Sequence, residues 1–428
     1  MTSYRNVSVD VAAIVEDIRS IAEVESPTSH PAGVNRVLDI VASWFEGTGA
    51  SIERRKIDDR FGDILKVCTH PSSRKPSRRR GYPGPCEASR TVNDPGSERR
   101  SPLARTAPAR MTGTGDPPGL TPAGGILVLS HVDTVHPIGT LAGPLPLRRE
   151  GDRLYGPGVF DMKGGLTLAV AAFRRLARAN VTCPLPITFM FTPDEEVGSV
   201  ASRKHIEAEA VGHQYVLVTE PMRTGGRVVT SRKGTGRFLI EAHGRPAHAG
   251  TAHDKGRSAI RAMARIVLDI EGFTDYARGI TTNVGLVSGG TGVNVIPEYC
   301  RINADMRIPD LRAAAEMEAR FHALTSPDPD VEIKVAGGML RPPFERSAEV
   351  DRLFDLAAAV AATLGFTLES GPRTGGGSDG NFTAALGLPT LDGLGVEGDG
   401  AHTTEEHLLV SSIERGTRLM QGLFETLR

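Results

Sequence analysis

Gly125-Ile126-Leu127-Val128-Leu129 runs into Ser130-His131-Val132-Asp133-Thr134-Val135, and the fold is read outward from this stretch. Four β-formers behind two glycines read as a buried strand. The strand ends on His131, and Asp133 follows two residues later. In open α/β sheets, ligands lie outside the carboxyl ends of the strands. A histidine placed there can hold a metal, and a nearby Asp can hold its second ring nitrogen. Alone, this His-x-Asp spacing is also that of an ordinary structural histidine beside a carboxylate.

Other strands end in the same way. Leu185-Pro186-Ile187-Thr188-Phe189-Met190-Phe191 reads as a buried strand and leads to Thr192-Pro193-Asp194-Glu195-Glu196. Tyr215-Val216-Leu217-Val218 reads as another and leads to Thr219-Glu220-Pro221. A solvated acidic loop accounts for any one of these. It accounts poorly for all three, because a sheet brings such ends to one crevice. Between them, Tyr155-Gly156-Pro157-Gly158-Val159-Phe160-Asp161-Met162-Lys163-Gly164-Gly165 reads as a turn opening a helix. Asp161 thus falls at a helix N-terminus, where capping is its ordinary role.

Two N-terminal helices are expected from Val11, Ile14, Ile18 and Ile21, and from Val34, Val37, Leu38, Val41 and Phe45. Short strands over 51–56 and 63–67 follow. From 69 to 124 Arg, Pro, Ser and Gly dominate, and neither Ile nor Phe occurs before Ile126. Such a segment buries too little apolar surface to offset its ordering entropy, so a disordered basic insertion is expected. From about Arg223 the order is strand, helix, strand, strand, helix, strand, over 236–244, 254–270, 283–288, 298–307, 311–324 and 331–335. That order is ferredoxin-like. A helix over 350–364, the loop Thr374-Gly375-Gly376-Gly377-Ser378-Asp379-Gly380 and the run Gly400-Ala401-His402-Thr403-Thr404-Glu405-Glu406 complete the chain.

The totals narrow the classes. At 428 residues two domains are expected, and 39% hydrophobic residues supply a core. A net charge of −1 favours neither a nucleic-acid nor a membrane partner. No run is long enough to span a bilayer, and no signal peptide is visible at the start. Cys68, Cys86, Cys183 and Cys300 lack metal-type spacing. They read as reduced thiols of a cytoplasmic protein. A metal would then need His and carboxylate ligands.

Taken together these motifs resemble the M20 family of di-zinc peptidases, and most closely its glutamate carboxypeptidase branch. The matching stretches are 130–135, 156–165, 194–196, 219–221, 244–250, 294–297, 305–309, 375–379 and 400–406. The resemblance implies a mixed-sheet α/β zinc exopeptidase domain with helices on both faces. It implies an inserted ferredoxin-like dimerisation or lid domain as well. The expected division is 1–222 and 339–428 for the catalytic domain and 223–338 for the lid. By resemblance His131 and Glu220 hold one zinc, Glu196 and His402 hold the other, and Asp161 bridges them. Glu195 is the implied base and Asp133 the partner of His131. A cis peptide is implied at Asp161-Met162. His248 is implied to act as an oxyanion donor across a homodimer. Asn294, Arg307 and Arg341 are implied substrate contacts, the arginines near carboxylates.

Zinc chemistry agrees with these residue types. Zinc accepts His nitrogen and carboxylate oxygen and keeps an open position when catalytic. Two ions sharing a carboxylate and a water acidify that water, and a neighbouring carboxylate can move its proton. The pair Glu195-Glu196 suits that division, one ligating and one facing substrate, if its backbone is extended. The implied activity is hydrolysis of the amide joining a C-terminal acidic amino acid, glutamate foremost, to an acyl or peptidyl group. Two Zn²⁺ per subunit are expected, with Co²⁺ or Mn²⁺ accepted by similar donors. The expected partners are a small-molecule or short-peptide substrate and a second copy of the chain, with neither nucleic acid nor membrane. Alternatives are a deacylase or dipeptidase acting on other N-acyl amino acids, and a catalytically silent dimeric binding protein.

Overall fold

The computed structural model describes residues 8–69 and 124–428. The expected insertion, 69–124, lies outside the described residues except at its two ends. Thr69 proves to belong to the sheet margin. Its N–H donates to the Ile187 carbonyl at 2.9 Å, and its hydroxyl accepts from the Ile187 N–H at 3.0 Å.

The central sheet runs, in spatial order, Ser51–Arg55, Ile64–Cys68, Ile187–Thr192, Ile126–His131, Tyr215–Val218 and Thr390–Leu391. The last four are parallel. The first two pair antiparallel, which makes the sheet mixed. Ile126–His131 is buried at every position. Ile126 and Val128 pack into one apolar cluster with the helices Val11–Ala22, Pro31–Ser43, Gly164–Arg178 and Val410–Thr426. Leu127 and Leu129 pack on the other face, against Ile206, Ala210 and Phe382. A strand covered on both faces must be apolar throughout. Each such Leu or Ile contributes about 1.5–3 kcal/mol of burial.

Strand register sets the crevice. His131 pairs with Thr192, so these two strands end level. The chain visits the Ile187–Thr192 strand on one side of Ile126–His131, then Tyr215–Val218 on the other. Connections that depart to opposite sides leave an open crevice at the strand ends. Close backbone approach narrows it: a Cβ on Gly165 would lie 1.9 Å from the Thr219 carbonyl. Only glycine lets the helix Gly164–Arg178 start against the strand end that carries Glu220.

The second sheet has the order Thr281–Gly289, Tyr299–Ile308, Gly234–His243, Glu332–Arg341, all antiparallel. The helices Ala259–Glu271 and Leu311–His322 supply Ile266, Ile270, Met317 and Phe321 to a separate apolar cluster on this sheet. Ser258 and Asp310 start these helices by accepting the N–H of Arg261 and Ala313. The order is that of a ferredoxin-like unit. Its last strand runs to Arg341, well past the expected end at 335, because its pairing with Gly234–His243 continues.

A third, small sheet was not foreseen. Gly398–Asp399, His407–Leu409, Arg153–Tyr155 and Arg148–Glu150 pair in that order. Strands of two or three residues carry no readable periodicity. This sheet nevertheless ties the run holding His402 to the turn holding Asp161, through the register His407 to Tyr155. Cys183 and Cys300 are free and buried. Cys68 is disulfide-bonded, which corrects the reading of all four cysteines as reduced. Scattered spacing does not report which thiols meet in space. No helix among the described residues is long and apolar enough to cross a membrane.

Candidate active site

Two carboxylate–imidazole trios meet at Asp161. Its Oδ1 lies 3.2 Å from His131 Nε2, and its Oδ2 lies 3.3 Å from His402 Nε2. Glu220 Oε1 is 3.8 Å from His131 Nε2. Glu196 Oε2 is 3.3 Å from His402 Nε2. His131, Asp161 and Glu220 thus form one group of converging donors, and Asp161, Glu196 and His402 form the other.

Asp161 follows Gly158, whose φ of 72° is left-handed, and the Asp161-Met162 peptide is cis. His402 adopts φ 65° without being glycine. A side chain held in that region costs of order 1 kcal/mol or more, and such positions cluster at functional sites.

The donors fit divalent cations. His131 Nδ1 lies 3.0 Å from the Asp133 carbonyl oxygen. A carbonyl only accepts, so Nδ1 carries the hydrogen and Nε2 of a neutral ring presents a lone pair to Asp161. His402 Nε2 faces two carboxylate oxygens at once, and one N–H cannot serve both. A cation at each trio resolves both conflicts. The charges agree. Burial raises Glu220 well above its ordinary value, with Asp161 and Glu195 adding repulsion. Burial also raises Glu196, and His402 offsets it only in part. His402 itself is pushed up to about 11 by its bonds to Asp161 and Glu196. Nitrogen and oxygen donors in threes, sharing one carboxylate, are what two ions with open positions require.

Glu195 and Glu196 lie in a single 3₁₀ turn, Glu195–Val197, and not in extended backbone. Their separation comes from the turn instead. Asp133 holds that turn: its Oδ1 accepts the Glu195 N–H and its Oδ2 the Glu196 N–H, each at 3.2 Å. Thr28 donates to the same carboxylate at 2.6 Å. Asp133 therefore orients the glutamate pair as well as His131. Burial raises Glu195 to about 8, against the opposing pull of Arg341 and His131.

Arg341 is not placed as expected. It is 4% exposed, and its guanidinium is already engaged. Nη2 lies 2.8 Å from the Glu195 carboxylate and donates to the Glu195 carbonyl at 2.7 Å and to Ser199 Oγ at 3.0 Å. Nη1 donates to Asp379 Oδ1 at 3.0 Å. Asp379 also accepts from Ser199 and, at 2.9 Å, from Thr192. The long continuation of the lid strand carries Arg341 into this interior.

A second buried carboxylate was also missed. Glu406, 1% exposed, accepts the Phe160 and Asp161 N–H groups at 3.1 and 3.0 Å through Oε1. Its Oε2 meets His136 Nε2 at 2.5 Å. Glu406 and Asp379 both stand in the runs singled out from the sequence, but nothing in those runs says what they touch.

The remaining expected residues lie on the lid. His248 pairs with Val295 in a two-stranded ribbon. Its Nδ1 accepts the Gly250 and Thr251 N–H groups at 3.0 and 3.1 Å, which leaves the hydrogen on exposed Nε2. Asn294 adjoins it, its carbonyl accepting the Ala249 N–H at 2.9 Å. No hydrogen bond or ion pair described within the chain joins this ribbon to the Asp161 cluster. Arg307 forms two bonds to Asp305, at 2.7 and 3.1 Å, and donates to the Gly375 carbonyl at 3.2 Å. Lys233 neighbours it: partial burial lowers its ammonium, then repulsion from Arg373 and Arg307 lowers it further. Lys233, Arg307 and Arg373 form a basic group beside the 374–376 loop, and the sequence reading included only one of them.

The profile of peptidase family M20/M25/M40 matches residues 127–426. Carboxypeptidase G2 of Pseudomonas sp. (strain RS-16) is 34% identical over 296 residues, 68% of this chain and 71% of that protein. A succinyl-diaminopimelate desuccinylase of Sphingopyxis alaskensis is 29% identical over 311 residues, 68% of this chain and 79% of its own. The fold is that of aminopeptidase PepT from Bacillus cereus, with TM-score 0.70 and 21% identity over 97% of this chain and 98% of that one. It is also that of an M20 family metallo-carboxypeptidase from Sulfolobus solfataricus, with TM-score 0.67 and 14% identity over 96% and 98%.

Proposed function

The chain belongs to peptidase family M20/M25/M40, whose members are dinuclear metallohydrolases, and on that premise we propose that it is a zinc carboxypeptidase releasing a C-terminal acidic amino acid, glutamate foremost, from an acyl or peptidyl group. The observation that carries this reading is the division of one carboxylate, Asp161, between His131 and His402, with Glu195 close enough to His131 for their charges to interact. In this reading His131, Asp161 and Glu220 hold one ion, and Asp161, Glu196 and His402 the other. Bound there, the ions supply Lewis-acid polarisation of the scissile carbonyl and acidify water.

The chain's own groups do the rest. Glu195 takes the proton of the attacking water as oxygen adds to the amide carbon. It passes that proton to the amide nitrogen as the C–N bond breaks, leaving a free amine and a carboxylic acid that gives up its remaining proton to solvent. Asp133 keeps Glu195 and Glu196 in the turn that points one to each task. Arg341 steadies Glu195 from behind. His248 presents Nε2–H as a donor for the developing oxyanion. We assign that role across a homodimer, since the lid ribbon bonds to nothing in its own chain's cluster. The lid and catalytic units are taken as 223–338 and as 1–222 with 339–428.

Acidic selectivity rests on the basic group Lys233, Arg307 and Arg373, with Asn294 a further contact from the lid. Arg307 is one-third exposed at its side chain. A cationic group that pairs with a carboxylate discriminates against a neutral partner. Zinc-loaded protein is expected to hydrolyse N-benzoyl-L-glutamate with kcat/KM about a hundredfold above N-benzoyl-L-alanine or -leucine. Lys233→Ala should erode that ratio chiefly through KM for the glutamate compound. Equal turnover of the three would end the acidic assignment and leave the amidase standing.

A further inference from the structure

The chain enters the lid sheet through 231–233, just ahead of the strand Gly234–His243. It leaves through 342–344, just after the strand Glu332–Arg341. These two crossings pair with each other. The Arg232 N–H donates to the Phe344 carbonyl at 3.0 Å, and the Phe344 N–H donates to the Arg232 carbonyl at 3.1 Å. The first crossing also pairs with Thr374, whose carbonyl accepts the Lys233 N–H at 2.8 Å and whose N–H donates to the Ser231 carbonyl at 3.2 Å.

One fully buried side chain, Asn381, spans both crossings and the loop between Thr374 and Ser378. Its Nδ2 donates to the Lys233 carbonyl at 3.2 Å and to the Pro342 carbonyl at 2.7 Å, one on each crossing. Its Oδ1 accepts the Ser378 N–H at 2.9 Å. A side-chain amide carries two N–H donors at one end and an acceptor at the other, so all three partners meet the matching end. Asp392 holds the same loop from its other side. It accepts the Arg232 guanidinium at 2.6 and 2.9 Å and the Ser378 hydroxyl at 2.6 Å. Arg232 Nη1 then donates to the Gly376 carbonyl at 3.2 Å.

These segments carry groups that the reaction uses. Lys233 belongs to the basic group, and Arg341 immediately precedes Pro342 and reaches the Glu195 carboxylate at 2.8 Å. The loop is fitted to two arginines: the Gly375 carbonyl accepts from Arg307 at 3.2 Å, and a Cβ on Gly377 would lie 2.8 Å from Arg341 Cδ. Asn381 thus bonds to the backbone of Lys233, to the backbone one residue past Arg341, and to the end of the loop between them. A shift of about 1 Å in a positioned group can cost about a hundredfold in rate.

We propose that Asn381 is a positioning residue that fixes the two lid crossings and the 374–378 loop to one another, and so sets where Lys233 stands for the substrate and where Arg341 stands for Glu195. The proposal rests on the amidase reading above for the roles of Lys233 and Arg341, but not for the junction itself.

The test uses zinc-loaded full-length protein and N-benzoyl-L-glutamate. Asn381→Asp keeps the shape and the acceptor for Ser378 but brings at most one donor to two carbonyls. It should raise KM and lower kcat, each about tenfold, with two zinc ions retained. Combined with Lys233→Ala, it should leave KM within about threefold of Lys233→Ala alone, because the displaced cation is already gone. Combined with Arg341→Lys, it should leave kcat within about threefold of Arg341→Lys alone. Losses that multiply in either pair, or kinetic constants within about twofold of the wild type in Asn381→Asp, would overturn the proposal.

Hydrogen exchange decides the junction independently of turnover. In Asn381→Asp the amides of Arg232, Lys233 and Phe344 should exchange at least about tenfold faster, while Val128 in the central sheet and Ile302 in the lid sheet keep wild-type rates. Unchanged exchange at the crossings, or faster exchange throughout, would overturn the proposal. If Asn381→Asp does not fold, Asn381→Ala takes the same measurements. Wild-type exchange at the three crossing amides as fast as at exposed loops would overturn it without any variant. If no N-benzoyl amino acid is hydrolysed, the amidase reading fails, and the exchange result alone upholds or ends the junction.

Discussion

At Asp161 one carboxylate serves two imidazoles, and the chemistry of the site follows from that sharing. In the proposed reading Glu195 and Glu196 are neighbours with different duties. Only Glu196 approaches His402 within the second donor group, whereas Glu195 approaches Arg341. Glu195→Gln should lower kcat by about 10³ while two zinc ions remain bound, measured by steady-state assay and metal analysis. Glu196→Gln should lose metal. The opposite pattern would exchange the two roles. The resemblance implies that Arg341 contacts substrate, but its guanidinium is buried and bonds to three protein acceptors, and in the proposed reading it supports Glu195. Arg341→Lys keeps the charge but not the fork. It should reduce kcat about tenfold to a hundredfold with KM nearly unchanged for both N-benzoyl-glutamate and N-benzoyl-alanine. A KM rise confined to the glutamate compound would return Arg341 to the substrate.

Elements deliver these residues from a distance. Three neighbouring parallel strands run side by side and offer His131, the Glu195 turn and Glu220 at or just past their ends. The small sheet brings His402 to them from the far end of the chain. Glu406 locks that junction by accepting two successive N–H groups of the Asp161 turn, and His136 secures its other oxygen. Groups that orient a ligand are worth roughly 10–100-fold in metal affinity. Glu406→Gln should therefore release zinc at a lower chelator concentration by about that factor. Circular dichroism checks that the fold persists. Unchanged affinity would reduce Glu406 to packing.

The whole molecule combines a sheet with two covered faces and a lid sheet with its own core. The lid carries His248 with its Nε2–H directed outward by two backbone donors to Nδ1. His248→Ala should lower kcat by about 10²–10³ without loss of zinc, the scale of one oxyanion donor. Mixed with Glu195→Gln, it should recover part of the activity, because a mixed dimer then holds one site with both residues intact. Confirmed mixed dimers without recovery would place His248 outside the reaction.

The strands, their acidic or histidine ends and the ferredoxin-like order were legible along the chain, and the family resemblance pointed to the five residues that the structure gathers into two candidate donor groups. Buried parallel strands are continuous apolar runs, and polar residues after such runs stand out because burial otherwise excludes them. The same local reading failed where contacts join distant segments. Asp133 bonds to residues 62 and 63 positions away, Arg341 to residues up to 146 away, and Glu406 to residues about 245 away. The extended Glu195-Glu196 pair became a turn because Asp133 holds both N–H groups. Hydrogen bonds between distant segments leave no periodicity to read, since they depend on which carboxylate the packed layers bring within about 3 Å of which donor. Residue types at strand ends thus pointed to the class of chemistry, and the packing of the central sheet, the lid and the small sheet decided which carboxylates converge on the two imidazoles and which are held by backbone N–H groups.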